Sequence, residues 1–471
     1  MNRSKELAKN TIIIFLGTLC TKLLSFLLLP LYTNVLTTTE YGIVDLLTTL
    51  IALFSPILSL QISQALFKNL VESRDDKERQ NKIISTSVFF ILFNSIIFII
   101  LFTIVSGFVR SDYKWLLAIN VLVSIFCDLL LQISRGLGDN NCYSASGVIT
   151  AITTIFFNIL FLVFLHYKVN GMLFATMFGY IAGIIFVFIK MKLYKYINIK
   201  KINKKEFKNL LKYSIPLVPN ALSWWIFGMS DRIIVAIILG LSMTGILSVS
   251  YKFSNIVILL YNVFDKSWCE NIILHIKDAD IVEYFNKTFT RILSIFVSMG
   301  LCLMAFMPIA FKILVNEDYI EAYNLIPIAI LASIFQVIVG LVSVIYAAKN
   351  NTKSLAKTAI SSAIVNLIIH MLLIKYIGVY AAVTSTLASY MFFAIYRVKD
   401  VSKKYIKVKL DKEFVVKTII VTLAVIMTYY CNGLYIKCIG MILALYYSIS
   451  FNKDTMIAFK KMFLYKIKKR G

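Results

Sequence analysis

Charge is scarce in this chain. Only 15% of its 471 residues are Asp, Glu, Lys or Arg, while 59% are hydrophobic. Long polar stretches are missing too: the two longest, 190–213 and 265–288, run to about two dozen residues each, too short to bury a core of their own. A soluble enzyme domain is thereby excluded, and any chemistry would have to occur in or at a membrane. His166, His275 and His370 are the only histidines and have no metal-ligand spacing. The seven cysteines contain no CxxC pair, so they read as small apolar fillers rather than a disulfide or metal framework. No GxxxxGK(S/T) run or Walker-type acid cluster is present, which argues against ATP hydrolysis. No cofactor is expected.

What is abundant is apolar sequence in runs of about 20 residues, the length that crosses a bilayer. Fourteen such segments are expected: 12–34, 42–67, 83–107, 115–134, 146–166, 171–189, 214–238, 243–264, 289–313, 324–348, 358–376, 379–396, 414–431 and 435–451. Lysine and arginine number 49 against 24 acids, and their placement orients the chain. With the N-terminus inside, the cytoplasmic stretches hold 38 of the 49 and the external turns six, a positive-inside pattern that puts both termini in the cytoplasm. The basic runs 195–212 and 399–412 read as loops against anionic headgroups rather than nucleic-acid contacts. The basic start leads into an apolar stretch too long for a signal peptide, so the first helix is expected to be retained.

The chain also repeats. Asn158, Gly171 and Tyr180 align with Asn366, Gly378 and Tyr390, and Glu40-Tyr41-Gly42-Ile43 falls opposite Met243-Thr244-Gly245-Ile246. The offset, near 205, equals six segments. An even number preserves orientation, which predicts a parallel repeat about the membrane normal with a site between two bundles. The expected fold is all-α: a six-helix bundle over 1–190, a basic cytoplasmic linker over 191–213, a second six-helix bundle over 214–397, and two extra helices with a basic tail over 398–471. The six prolines lie within or just inside segment ends, as hinges or as ordinary tolerated residues.

Cations at membrane depth are costly and mark sites. Lys22 and Lys252 each lie near the middle of an apolar segment. Thr18, Lys22 and Ser25 share one helical face, as do Ser248, Lys252 and Asn255, and Asp45 opens a polar stripe through Thr48, Thr49, Ala52, Ser55 and Ser59. These faces are expected to line a cavity that neutralises an anion; the alternative is a Lys22–Asp45 pair serving packing alone. Asp231 and Arg232 point about 100° apart, so one faces the cavity and the other a neighbouring helix, with a purely structural role open. Asn120, Ser124, Asp128, Gln132 and Arg135 recur four apart or nearly so, as do Thr150, Thr154 and Asn158, and Thr358, Ser362, Asn366 and His370. Such rows are either cavity linings or glue between helices.

These residues resemble a known family. The pattern N-x4-F-L-x5-K-L-x2-F-x3-P-L-Y-T from Asn10 to Thr33, then Glu40-Tyr41-Gly42 and Asp45, is similar to polysaccharide repeat-unit flippases of the MOP (multidrug/oligosaccharidyl-lipid/polysaccharide) superfamily. So are Ser214-Ile215-Pro216-Leu217-Val218-Pro219, Ser230-Asp231-Arg232 and the run from Gly245 to Lys252. The resemblance covers essentially the whole chain. It implies export of an undecaprenyl-diphosphate-linked oligosaccharide across the bacterial cytoplasmic membrane by alternating access, beside glycosyltransferases and a polymerase. It leaves the coupling ion, H+ or Na+, open. Related lipid II flippases carry basic residues in helices one and eight and an acid in helix two, where Lys22, Lys252 and Asp45 fall; Arg232, Asn255 and Asp128 complete the expected substrate-binding set. The family often has Arg where this chain has Lys, which removes bidentate phosphate geometry but not the charge. The rivals are a multidrug exporter of the same superfamily, which would need acids in its cavity, a membrane polymerase or ligase, which would need a large external loop, and a scaffold for other glycan enzymes.

Overall fold

A computed structural model describes residues 26–108, 110–349 and 351–468. Its elements are helices, with no strand among the described residues. Eleven of the described helices are long and apolar enough to cross a membrane, which makes the chain an all-α multi-pass membrane protein. Three of the fourteen expected segments are not among the eleven: 12–34 lies mostly outside the described residues, while 214–238 and 379–396 form as helices of 22 and 25 residues. The chain divides into two compact units that meet in sequence at Gly245 and Ile246.

The first unit comprises α1 (Leu29–Val35), α2 (Thr38–Ser59), α3 (Ile62–Glu72), α4 (Lys77–Ser106), α5 (Lys114–Gly136), α6 (Asn140–Ile159, extended by a π turn over Leu160–Phe164), α7 (Lys168–Lys190), α8 (Lys204–Ser214), α9 (Leu217–Ile238) and the first turn of α10 (Leu241–His275). Its core joins Leu66 and Leu70 of α3, Ile83 of α4, Leu129 and Ile133 of α5 and Leu210 of α8, all fully buried.

Segment 42–67 reads as one helix in the sequence but is two in the structure. Leu60 and Gln61 both take left-handed backbone, with φ of 46° and 55°, a conformation costing about 1 kcal/mol or more for each non-glycine residue. A helix broken there strands carbonyls that a continuous helix would satisfy. The Asn94 side chain of α4 donates to the Leu58 carbonyl at 2.8 Å, and Ser59 Oγ accepts from the Gln61 N–H at 3.2 Å. No Gly marks the break, and Pro56 lies inside α2 rather than at its end.

The second unit comprises the rest of α10, α11 (Ile281–Leu314), α12 (Ile320–Ala348), α13 (Thr352–Ile377), α14 (Tyr380–Lys404), α15 (Lys412–Tyr430) and α16 (Leu434–Lys468). The polar stretch 265–288, expected as a loop, mostly continues α10 and α11, so that only 276–280 turns. Beyond the apolar segments these helices are tied by Tyr284 Oη donating to Asn271 at 2.8 Å, and the turn is closed by a His275–Asp278 contact of 2.7 Å.

Polar rows in both units act as glue. In the first, Gly179 and Gly183 of α7 seat Thr154 and Thr150 of α6. In the second, Ser362 of α13 donates to the Ser389 carbonyl at 2.9 Å, and Asn366 to Thr386 and Ser389 of α14 at 3.3 and 3.4 Å. The two C-terminal helices are bound in the same manner: Asn452 of α16 bridges Ser294 and Ser298 of α11 at 2.8 Å each, and Tyr429 of α15 donates to the Tyr323 carbonyl at 2.6 Å. Arg397 was not anticipated. The residue is 3% exposed, and its guanidinium donates to Thr358 Oγ1 at 3.0 Å, to Ser343 Oγ and to the Leu355 carbonyl at 3.2 Å, and lies 4.2 Å from the Phe393 ring centroid. It thereby clamps α12, α13 and α14 together. A turn further on, burial favours the neutral form of Asp400, yet bonds from Lys404 and Tyr346 hold its carboxyl below the ordinary value.

Candidate functional site: the seam of α2 with α9 and the start of α10

Helix α2 begins with a capping box, Thr37 Oγ1 accepting from the Glu40 N–H and Glu40 from the Thr37 N–H, which fixes its first turn. Glu40 also pairs with Lys168 of α7 at 2.8 Å. From this fixed start α2 runs along α9. Asp45 Oδ2 lies 2.7 Å from Arg232 Nε, with the side chains 18% and 13% exposed respectively. Arg232 also donates to its own helix at the Gly228 carbonyl, 3.2 Å away. One turn beyond Asp45, the Trp225 indole N–H donates to the Thr49 carbonyl at 3.0 Å.

At its first turn α2 crosses the start of α10. Thr38 Oγ1 and Ser242 Oγ are 2.8 Å apart. A Cβ on Gly42 would collide with the Leu241 carbonyl, and one on Gly245 with the Thr38 carbonyl; only glycine permits this approach. The two clashes exchange under the offset of 203 that relates Gly42 to Gly245 and Thr38 to Leu241. The repeat-related glycines thus meet at a locally symmetric crossing.

The expected site residues are distributed as follows. Lys22, Thr18 and Ser25 lie outside the described residues. Asp45 and Arg232 are brought together, which the sequence did not foretell; Asp231 beside them is buried at 5% exposure. On α10, Ser248, Lys252 and Asn255 share one face whose exposure rises from buried through half-buried to exposed. On α5, Asp128 is exposed and accepts from Gln132 at 3.4 Å and from Ser63 of α3. The rest of its row holds neighbours: Asn120 donates to the Leu173 carbonyl of α7 at 3.3 Å, Ser124 lies 3.1 Å from Ser55 of α2, and Arg135 stacks over Phe67 of α3 at 4.4 Å. No cluster of three or more His, Cys, Asp or Glu suited to a metal occurs among the described residues. The chemistry these described side chains offer is charge and hydrogen bonding.

The family model described as polysaccharide biosynthesis protein matches residues 7–267. The chain belongs to this family. The matched region contains Lys22, Asp45, Asp128, Arg232, Lys252 and Asn255, the whole expected site. No curated protein matches the chain. Among solved structures, the inward closed conformation of the lipid II flippase MurJ is 20% identical, with a TM-score of 0.64 over 95% of this chain and 100% of that one. An inward-facing multidrug resistance MATE family transporter of the MOP superfamily is 11% identical, with a TM-score of 0.67 over 83% of this chain and 98% of that one. A MOP superfamily transporter from Pyrococcus furiosus, described as having a binding pocket of reversed polarity, is 14% identical, with a TM-score of 0.57 over 84% and 95%. This family member therefore has the fold of the MATE and MurJ transporters.

Proposed function

We propose that this family member is a flippase that exports undecaprenyl-diphosphate-linked oligosaccharide repeat units across the bacterial cytoplasmic membrane by alternating access, for surface polysaccharide synthesis. The observation that carries the reading is the family match over 7–267, which encloses two lysines at membrane depth in apolar segments. Lys22 and Lys252 neutralise the diphosphate, Asn255 and the polar faces of α2 and α10 meet the sugars, and the polyprenyl tail stays in lipid. Arg232 and Asp128 belong to the same proposed set. Because Asp45 engages Arg232, its proposed role is to hold that guanidinium as well as to orient Lys22. Glycosyltransferases and a polymerase are the expected partners, and the chain itself makes and breaks no bonds.

The multidrug-exporter reading is supported by fold likeness to MATE transporters, but an exporter of cationic drugs needs unpaired acids where this chain carries lysines. A diphosphate bears about two negative charges, and each opposing cation in a cavity of reduced dielectric contributes on the order of several kcal/mol before desolvation. Lys22→Ala and Lys252→Ala are expected to abolish or strongly reduce surface glycan, with protein retained in the membrane and much activity kept by Lys→Arg. Normal glycan from both alanine variants would overturn the cationic site.

A further inference from the structure

Residues 191–216, which join α7 to α9, are folded against the first unit. Ser85 Oγ of α4 donates to the Tyr196 carbonyl and accepts from the Asn198 N–H, each at 3.0 Å, and Thr86 Oγ1 accepts from the Asn203 N–H at 3.1 Å. Leu193 and Leu210 are fully buried. The acid of this stretch, Glu206, is spent on Arg79 of α4 at 3.3 Å.

The outward side has the opposite character. Of the nine lysines in 190–213, eight are exposed. On α8, Lys204, Lys208 and Lys212 form a row four residues apart, while Glu206, Leu210 and Ser214 form the buried row. Between the lysines, Tyr194, Ile199 and Ile202 stand 59%, 65% and 45% exposed. A rigid basic surface studded with exposed isoleucine, held at the end of a membrane-spanning helix, matches what the boundary between headgroup and acyl chain accepts.

We propose that residues 193–214 form a platform that binds anionic phospholipid headgroups, with Ile199 and Ile202 entering the edge of the acyl region. Lipid is the occupant, rather than nucleic acid or an acidic protein, because apolar side chains interleave the lysines and because α7 (Lys168–Lys190), a helix fit to cross the membrane, ends at the platform. The proposal is independent of what the protein transports.

The test uses the full chain in bilayers of phosphatidylcholine mixed with phosphatidylglycerol. Ile199→Trp supplies a local fluorophore, read as the difference from the parent, and brominated acyl chains on either lipid report by quenching which one lies beside it. Phosphatidylglycerol is expected to be preferred several-fold, the preference shrinking with added salt. It should fall to near parity when Lys204, Lys205, Lys208 and Lys212 are all changed to Gln. It should survive their change to Arg, and survive Gln at Lys399, Lys403, Lys407 and Lys409 in the other basic run. The pair Lys204→Gln/Lys208→Gln, a milder change, should give an intermediate value should the fourfold variant fail to assemble. Equal quenching by the two lipids in the Ile199→Trp protein would overturn the proposal. So would a preference unchanged by the glutamines, or one erased by inorganic phosphate at constant ionic strength.

Discussion

Asp45 and Arg232 stand 187 residues apart in the chain and 2.7 Å apart in space. Each was legible as a charge inside an apolar segment, because the cost of ionised groups at that depth singles them out. Their pairing was not legible, because helical spacing says which residues share a face and nothing about which helix that face meets. Arg397 shows the converse. It reads as one more cytoplasmic cation at the end of its segment, yet it is nearly sealed and bonded to neutral oxygens of two neighbouring helices. Removing one partner of a largely desolvated ion pair strands the other. Asp45→Asn and Arg232→Gln should therefore each cost on the order of 2 kcal/mol, after allowance for the part of each side chain that water reaches. The double variant should cost less than the two together. Thermal unfolding of the four proteins in one detergent measures this, and strictly additive losses would show that the pair does not couple.

Helices were the most legible level, since runs of about 20 apolar residues have few alternative fates in a bilayer. Their interruptions were less so. The break at Leu60 and Gln61 carries no Gly, and a carbonyl beside it is met by long-range donation from Asn94, which no local pattern announces. The polar rows were legible as rows, with glue and cavity lining both open: only the packed partners, such as Gly179 against Thr154, decide between the two. The offset of 203 between Gly42 and Gly245 was legible, though not that these two glycines would touch. A crossing that tight holds α2 to the start of α10 for as long as it is made. With the native cysteines replaced, a Thr38→Cys/Ser242→Cys protein should cross-link on oxidation, since the native oxygens are 2.8 Å apart, and export should stop until the bond is reduced. Export undiminished by a complete cross-link would show that the crossing stays shut throughout the cycle. Gly42→Ala should destabilise by about 1–3 kcal/mol, since the overlap is with backbone that cannot rotate away.

For the molecule as a whole, the asymmetry of lysine and arginine predicts cytoplasmic termini. An impermeant thiol reagent applied outside should label a cysteine placed at Thr38 but not one at Lys204 or the C-terminus; the reverse set would invert both topology and direction of export. The division of the chain into units at Gly245 was not visible in composition, because it falls inside a continuous helix rather than in the basic linker. That helix, α10, has 35 residues and so a length of about 52 Å. Lys252 lies about 10 Å beyond Gly245 along this rod and His275 about 45 Å beyond. A tilt of about 5° at the glycine crossing would carry the far tip roughly 4 Å while moving Lys252 by less than about 1 Å. Along the rod the two positions stand about 10 and about 45 Å from the crossing, so one rotation displaces them in a ratio of about one to four. An antibody fragment clasping the corner of His275, Asp278 and Tyr284 would oppose such a tilt with about a fourfold mechanical advantage over one acting at Lys252.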